Sequence, residues 1–439
     1  MKWFVYNVLF AAGYAAMLPF FLNRMRRRGG YRARMGDRFG RHPAEIAARL
    51  KALRENGAKP VWIHAVSVGE VQVAGQLMRA MREVAPGVRF VFSTTSSTGW
   101  KIAEKEVSAA DVLIYNPVDF PAFVNRAFAA VDPCAVILTE TEIWPNFIRR
   151  VQRAGVPLYL VNARISDRSA PRYRRLRWFF GDCFRAFSRI WAQSDLDRRR
   201  ILDAGGDAAA IEVSGSVKFD VARRNEAKER ELRAWVGEGN VLLGGSTWPG
   251  EDELMLRAYK CAQAADPALK LVIAPRHFEK ADAVEANVLA AGFACRRRSR
   301  GADAPAKRPA GAAADAREVF LADTTGELMG LFGIASVAFV GKTVSAHGSQ
   351  NMIEPCLCGV ATVVGPNTEN FRPVMSDLLA SAAIDQQPDA AGVEAALAKY
   401  VADPEARRAL GAKAVEAVAR RRGATARIAC EIAEALGMA

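Results

Sequence analysis

From residue 60 onward the chain alternates short apolar runs, rich in β-branched residues, with amphipathic stretches of helical length, and it does so in two successive series. Runs that are apolar throughout, without polar alternation, belong to strands buried on both faces, and strands separated by helix-length crossovers pair in parallel. The first series places strands near 60–64, 88–93, 111–115, 135–139, 157–162 and 189–193. The second begins near residue 240 with NVLLGG and continues at 269–274, 318–322, 336–340 and 360–364. Two doubly wound α/β halves of Rossmann type follow, and a length of 439 residues, at about 150 per domain, suits two or three domains rather than one. The join falls within 214–236, where GSVKFD runs into the charged segment ARRNEAKERELR, a solvated helix or linker. Residues 296–317 are rich in Arg, Ala, Gly and Pro without apolar periodicity and read as a flexible surface insertion, its basic run either touching phosphate or simply solvated. The last forty residues read as two helices broken near Gly423.

Hydrophobic residues make up 51% and charged residues 25% of the chain, which supplies a core and excludes wholesale disorder. The seven cysteines are odd in number, scattered and free of any CxxC, so neither a disulfide framework nor a zinc site is indicated. Lys and Arg exceed Asp and Glu by 61 to 47, leaving +14, an excess that favours an anionic partner. The aromatic and basic interleaving of a nucleic-acid platform is absent, so a phosphorylated lipid or an acidic substrate is the expected partner and nucleic acid is not.

Residues 3–22, WFVYNVLFAAGYAAMLPFFL, carry no charge over twenty positions. Twenty helical residues rise roughly 30 Å, the thickness of a bilayer core. Arg24, Arg26, Arg27 and Arg28 follow at once, whereas only Lys2 and the amino terminus precede, and this bias keeps the body of the chain on the cytoplasmic face. No small-x-small cleavage site closes the run. Asn7 and Pro19 interrupt a clean span, so a helix lying in the interface stands beside a spanning one as a reading. Residues 1–28 are therefore expected to be a membrane anchor, with an anionic lipid surface as partner.

Ligands of open parallel sheets bind beyond the carboxyl ends of the strands. Three of the four histidines, His64, His277 and His347, fall in segments expected to follow strands, while His42 lies in the basic segment near the anchor. After the first strand comes HAVSVGE, in which Glu70 opens the next helix, either as a plain complement to the helix dipole or as a carboxylate aimed at the crevice. A second acidic cluster, TETEIWPN with Glu140 and Glu142, follows the strand AVILT. Paired carboxylates suggest acid–base work, and metal binding is the weaker reading because no His or Asp of ligand spacing accompanies them. In the second half, Gly244 to Thr247, Pro275-Arg276-His277 and DTTGEL (323–328) follow successive strands and have the chemistry of anion and nucleotide loops, with Glu354 suited to a ribose diol. No GKS-type phosphate loop and no strict GxGxxG follows the first strand, which argues against NTP hydrolysis and nicotinamide chemistry.

Taken in order, the motifs resemble those of the 3-deoxy-D-manno-octulosonic acid (Kdo) transferases of Gram-negative lipid A synthesis, over nearly the whole chain. The resemblance rests on YRARMGDRFG (31–40), HAVSVGE (64–70), STTSSTG (93–99), YNPVDFP (115–121), TETEIWPN (139–146), NARISDRSAPRY (162–173), GSVKFD (215–220), APRH (274–277), DTTGEL, NMIEP (351–355) and GPNTENF (365–371). It implies a GT-B glycosyltransferase: an acceptor-binding Rossmann-like domain over 29–222, a CMP-Kdo-binding one over 223–439, and a central cleft. It further implies that Glu70 is the general base that deprotonates the acceptor hydroxyl, that CMP is displaced with inversion, and that neither metal nor cofactor takes part. By the same carry-over Ser67, Gly69, Glu140, Glu142 and Arg164 belong to the acceptor side, with Ser194 flanking. Lys218, Arg276, His277, Thr325, Gly326, Glu327, Asn351 and Glu354 would surround CMP-Kdo. The basic residues near 24–41 would meet the phosphates of the lipid A precursor at the cytoplasmic face of the inner membrane.

The chain departs from the family pattern at several points. Gln350 stands where a histidine is expected, Trp248-Pro249 follows GST in place of His-Glu, Phe278 follows PRH in place of proline, and Lys342 replaces a glycine after FVG. His347 is a candidate stand-in for the missing ring. The alternatives are another GT-B enzyme with a different nucleotide sugar, a sugar-nucleotide epimerase among them, and a non-catalytic membrane protein that binds anionic lipid.

Overall fold

The computed structural model describes residues 1–28, 32–54, 59–301, 304–311 and 316–438. It divides into two compact units, Met1–Val221 with Gly423–Ala439, and Ala222–Arg422. Arg24 and Arg26 to Arg28, assigned above to lipid phosphates, have side chains outside the described ones, as do parts of the 296–317 segment.

The first unit is built on seven parallel strands: β1 (Val61–His64), β2 (Phe90–Thr94), β3 (Val112–Tyr115), β4 (Ala135–Thr139), β5 (Leu158–Ala163), β6 (Arg189–Ala192) and β7 (Ile211–Val213). Their order is β3-β2-β1-β4-β5-β6-β7. The chain runs outward from β1 through β2 to β3 and then returns to β4 on the other side of β1. Crossovers therefore leave in opposite directions from β1 and β4, and the crevice beyond their carboxyl ends is the topological switch point. His64 pairs in register with Leu138, so both strands reach the same edge. Every residue of β1, β2, β4 and β5 is buried, as two helical layers require.

The second unit repeats the plan with β8 (Val241–Thr247), β9 (Lys270–Pro275), β10 (Ala294–Arg297), β11 (Glu318–Leu321), β12 (Val337–Val340), β13 (Ala361–Val364) and β14 (Asp385–Gln386). The order β10-β11-β9-β8-β12-β13-β14 puts its switch point between β8 and β12.

The C-terminal segment corrects the expected domain division. Gly423, at φ +98°, breaks the helix Pro404–Arg421 from the helix Ala424–Ala435. The last helix belongs to the first unit rather than to the second. Its apolar face, Ile428, Ala429, Ile432 and Ala433, joins the core cluster of Val71, Ala74 and Met78 on the helix Val68–Val84. Asp220 fastens its start, accepting the Gly423 N–H at 2.7 Å, the Thr425 N–H at 2.8 Å and the Thr425 hydroxyl at 2.7 Å. The flexible insertion is corrected as well. Residues 294–297 form β10, and Lys307 bridges back to Cys295. The arginines there are spent on acids: Arg296 on Glu318, Arg297 on Asp323, Arg298 on Glu327 and Arg300 on Glu285.

The helix Lys2–Arg28 is long and apolar enough over Lys2–Phe21 to cross a membrane, and none of that stretch is buried. Its first turns nevertheless hold to the first unit. Tyr6 donates its hydroxyl to Asp119 at 2.7 Å, Asn146 donates to Asn7 at 2.7 Å, and Trp3 packs on Phe179. Phe4, Leu9, Met17 and Phe20 remain exposed.

Candidate active site

At the switch point of the first sheet, Ser67 caps the helix Val68–Val84 and makes a reciprocal capping box with Glu70. The Ser67 hydroxyl accepts the Glu70 N–H, while the Glu70 carboxylate accepts the Val66 N–H at 3.1 Å and the Ser67 N–H at 3.2 Å. The dipole-complementing reading of Glu70 is thus true as far as it goes. Two further facts separate it from an ordinary cap. The side chain is only 7% exposed, and its carboxyl is pushed above the usual carboxylate range by burial first, then by the charges of Glu142 and Glu140, against the opposing hydrogen bonds at Ser67 and Val66. The Thr139 hydroxyl lies 3.0 Å from the His64 carbonyl and 3.3 Å from Glu70 Oε2, and its single proton serves one of them at a time.

The second acidic cluster is fixed by its own partners. Glu140 and Asn162 both occupy left-handed backbone, at φ +50° and +57°, a strain of about 1–3 kcal/mol each that surrounding contacts must hold. Asn162 Nδ2 donates to Glu140 Oε1 at 3.3 Å, and Lys218 Nζ sits 2.9 Å from the same oxygen. Glu142 accepts the Trp144 indole N–H at 2.8 Å. His64 is the last residue of β1 rather than a loop residue, and it is fully buried. Its Nδ1 faces Ser93, and its Nε2 lies 3.7 Å from Glu142.

Glu70, Glu140 and Glu142 therefore come together, with His64 behind them. Lys218, grouped above with the donor residues, lies in the first unit and pairs with Glu140. Ser67 is exposed at the mouth, and a Cβ on Gly69 would meet nothing within 4 Å, so the helix start is open to a ligand. The Arg164 carbonyl takes the Thr141 hydroxyl, and Ser194 caps the helix Asp195–Asp203.

In the second unit, Ser246, Arg276, Thr325 and Gly326 line a cleft of about 130 Å³. Glu327 lies at its edge but is committed: burial would raise its carboxyl, and Arg298, Thr324 and Lys228 outweigh this and hold it low. Asp323 is likewise held low, by Ser299 and Arg297 against burial, and staples the turn at 298–300. Asn351 donates to Glu354 at 3.0 Å, and burial raises the Glu354 carboxyl in spite of that bond. His277 stands edge-on to Trp248 with ring centroids 4.8 Å apart. His347 is exposed and hydrogen-bonded to Glu369, which ties it outside the cleft.

Sequence reasoning missed Glu251. Fully buried, it accepts four backbone N–H groups: Trp248 at 2.8 Å, Lys342 at 2.7 Å, Val344 at 3.1 Å and Ser345 at 3.2 Å. One carboxylate thereby clamps together the loops after β8 and β12. The available signal was an acidic residue four positions past GST at the start of a helix, which reads equally well as a dipole complement.

Two parallel-sheet units, each with a switch-point crevice, define a GT-B-type α/β protein, and a carboxylate cluster with Glu70 buried in it lies at one of the crevices. A solved glycosyltransferase from Rickettsia africae shares this fold at a TM-score of 0.55 and 12% identity, covering 86% of this chain and 98% of its own. So does a UDP-GlcNAc 2-epimerase from Neisseria meningitidis, at a TM-score of 0.55 and 8% identity, covering 80% and 94%. Fold alone thus leaves the reaction open, and sequence decides it. Residues 33–221 match the family model described as 3-deoxy-D-manno-octulosonic-acid transferase (kdotransferase). The 3-deoxy-D-manno-octulosonic acid transferase of Bordetella pertussis is 35% identical over 425 residues, 94% of this chain and 95% of that one. The chain belongs to the Kdo transferase family of glycosyltransferases.

Proposed function

We propose that the protein moves Kdo from CMP-Kdo to a sugar hydroxyl of a lipid A precursor, with inversion, and that Glu70 is the general base. The observation that carries this is the buried Glu70 carboxylate with its raised affinity for a proton, next to two more carboxylates at a switch point. A base for an alcohol gains from such a shift, because its conjugate acid holds the proton better at working pH. The acceptor oxygen loses its proton to Glu70 and forms a bond to the anomeric carbon. The bond from that carbon to the phosphate oxygen breaks, and CMP leaves with the electron pair.

The first unit takes the acceptor in this reading and the second takes the nucleotide, with Arg276 and the Thr325-Gly326 turn beside the phosphate and Glu354 at the ribose. Lys218 tempers the charge of Glu140. No metal takes part in this reading: Lys218 beside Glu140, and N–H donors on Glu142 and Glu70, balance the negative charge of the cluster. The exposed apolar residues of the helix Lys2–Arg28 attach the chain to the cytoplasmic face of the inner membrane. The test is to incubate the purified full chain with a CMP-Kdo generating system and lipid A precursors and to weigh the products. A mass increment of one or more Kdo residues is expected, and transfer from UDP-sugars with none from CMP-Kdo would refute the assignment.

A further inference from the structure

The switch point of the second sheet lies between β8 and β12, where Val340 pairs in register with Gly245. Two side chains crown it, Trp248 after β8 and Lys342 after β12. Lys342 adopts φ +62°, a left-handed conformation that glycine takes freely and lysine takes only at a cost. Glu251 holds it there by accepting its N–H at 2.7 Å, from the same oxygen that takes the Trp248 N–H. The ammonium rests 5.2 Å from the centre of the Trp248 ring, within cation–π range, and a Cβ on Gly348 would lie 3.4 Å from it. The side chain is half-buried, and among the described residues it makes no ion pair. By contrast, Arg297, Arg298 and Lys228 of the same unit are all matched by acids.

We infer that Lys342, braced on Trp248, binds an oxyanion of the cytidylated sugar acid, its phosphate or its carboxylate. The inference rests on the donor assignment proposed above and adds a residue to it. A strained backbone, an aromatic rest for the charge and an ammonium without an acid partner converge where open α/β sheets bind ligands. His277 stands edge-on to the same indole, and Arg276, whose backbone N–H bonds to the Thr247 carbonyl at 3.0 Å, adds positive charge. None of these features contributes to the core of the unit.

The experiment titrates the full chain and its Lys342→Ala, Lys342→Arg and Lys342→Gly variants with cytidine, CMP and freshly generated CMP-Kdo, following Trp fluorescence or heat. Lys342→Ala is expected to weaken anion-bearing ligands roughly 10- to 100-fold, the loss of one charge-assisted contact, and to leave cytidine unchanged. A loss shared by CMP and CMP-Kdo assigns the phosphate, and a loss confined to CMP-Kdo assigns the carboxylate. Lys342→Arg should retain most of the affinity. Lys342→Gly should melt above the wild type while binding as weakly as Lys342→Ala, the mark of a residue kept for its ligand. Unchanged affinity in Lys342→Ala, or an equal loss for cytidine, overturns the inference while the donor assignment stands. Wild-type protein that binds neither CMP nor CMP-Kdo overturns both.

Discussion

Replacing Asp220 by alanine tests how the last helix is held. The carboxylate accepts two backbone N–H groups and one hydroxyl at 2.7–2.8 Å, and Thr425 is only 3% exposed, so water replaces it poorly. Leaving a buried donor unpaired costs about 1–3 kcal/mol, and with partial rehydration at Gly423 the sum comes to about 3 kcal/mol. Opposing release, Ile428 and Ile432 are fully buried and contribute about 1.5–3 kcal/mol each, so the helix stays docked but opens more often. Hydrogen exchange of the amides from Ile428 to Ala433 is the assay, because a chain of two units need not unfold in a single step. A drop of about 3 kcal/mol in opening free energy speeds their exchange about 100-fold. Asp220→Asn, which keeps one acceptor oxygen, should fall between. Exchange within about threefold of wild type, or acceleration spread evenly over β8 to β14, would refute the reasoning.

Further outcomes follow from the two loop systems. Burial is the main cause that raises Glu70, and Glu142→Gln removes the stronger of the two like-charge contributions added to it, so the acid limb of kcat/KM against pH moves to lower pH; an unmoved or raised limb would count against that coupling. The neighbours facing Glu70 in that profile are Glu140 with its partner Lys218, Glu142, and His64 behind Glu142. Glu251→Ala strands four N–H groups and should cost roughly 3–5 kcal/mol in the second unit, read by denaturant melting, together with loss of CMP binding. Gly341→Ala would place a Cβ 2.2 Å from the Ser246 carbonyl oxygen, backbone that has no freedom to yield. Roughly 2–3 kcal/mol of destabilisation is expected, and a melting curve matching wild type would contradict the packing.

The central strands were legible because burial on both faces leaves an uninterrupted apolar run, as in VWIH or AVILT. The strands missed are edge strands or short ones. β7 has three residues, β14 has two, and β10 reads ACRR because its arginines are neutralised by acids distant in sequence. The last helix shows an apolar stripe in sequence, yet a stripe does not say which sheet it covers; Asp220, two hundred residues earlier, decides that. At the site, Glu70, Glu140 and Glu142 were legible from their positions after strands. The commitments of Glu327 and Asp323 were not, since their partners Arg297 and Arg298 lie in a segment that resembles a loop. Lys342 registered only as a departure from a family pattern, because its meaning depends on a backbone angle and on the ring beneath it.

The most direct measurement is the single-turnover rate of Kdo transfer by Glu70→Gln at saturating CMP-Kdo and acceptor, alongside CMP binding by the same variant. Loss of a general base should slow the chemical step by about 10²- to 10⁴-fold while CMP affinity stays at the wild-type value. Transfer within about threefold of wild type, with the variant folded, would show that the proton leaves by another route.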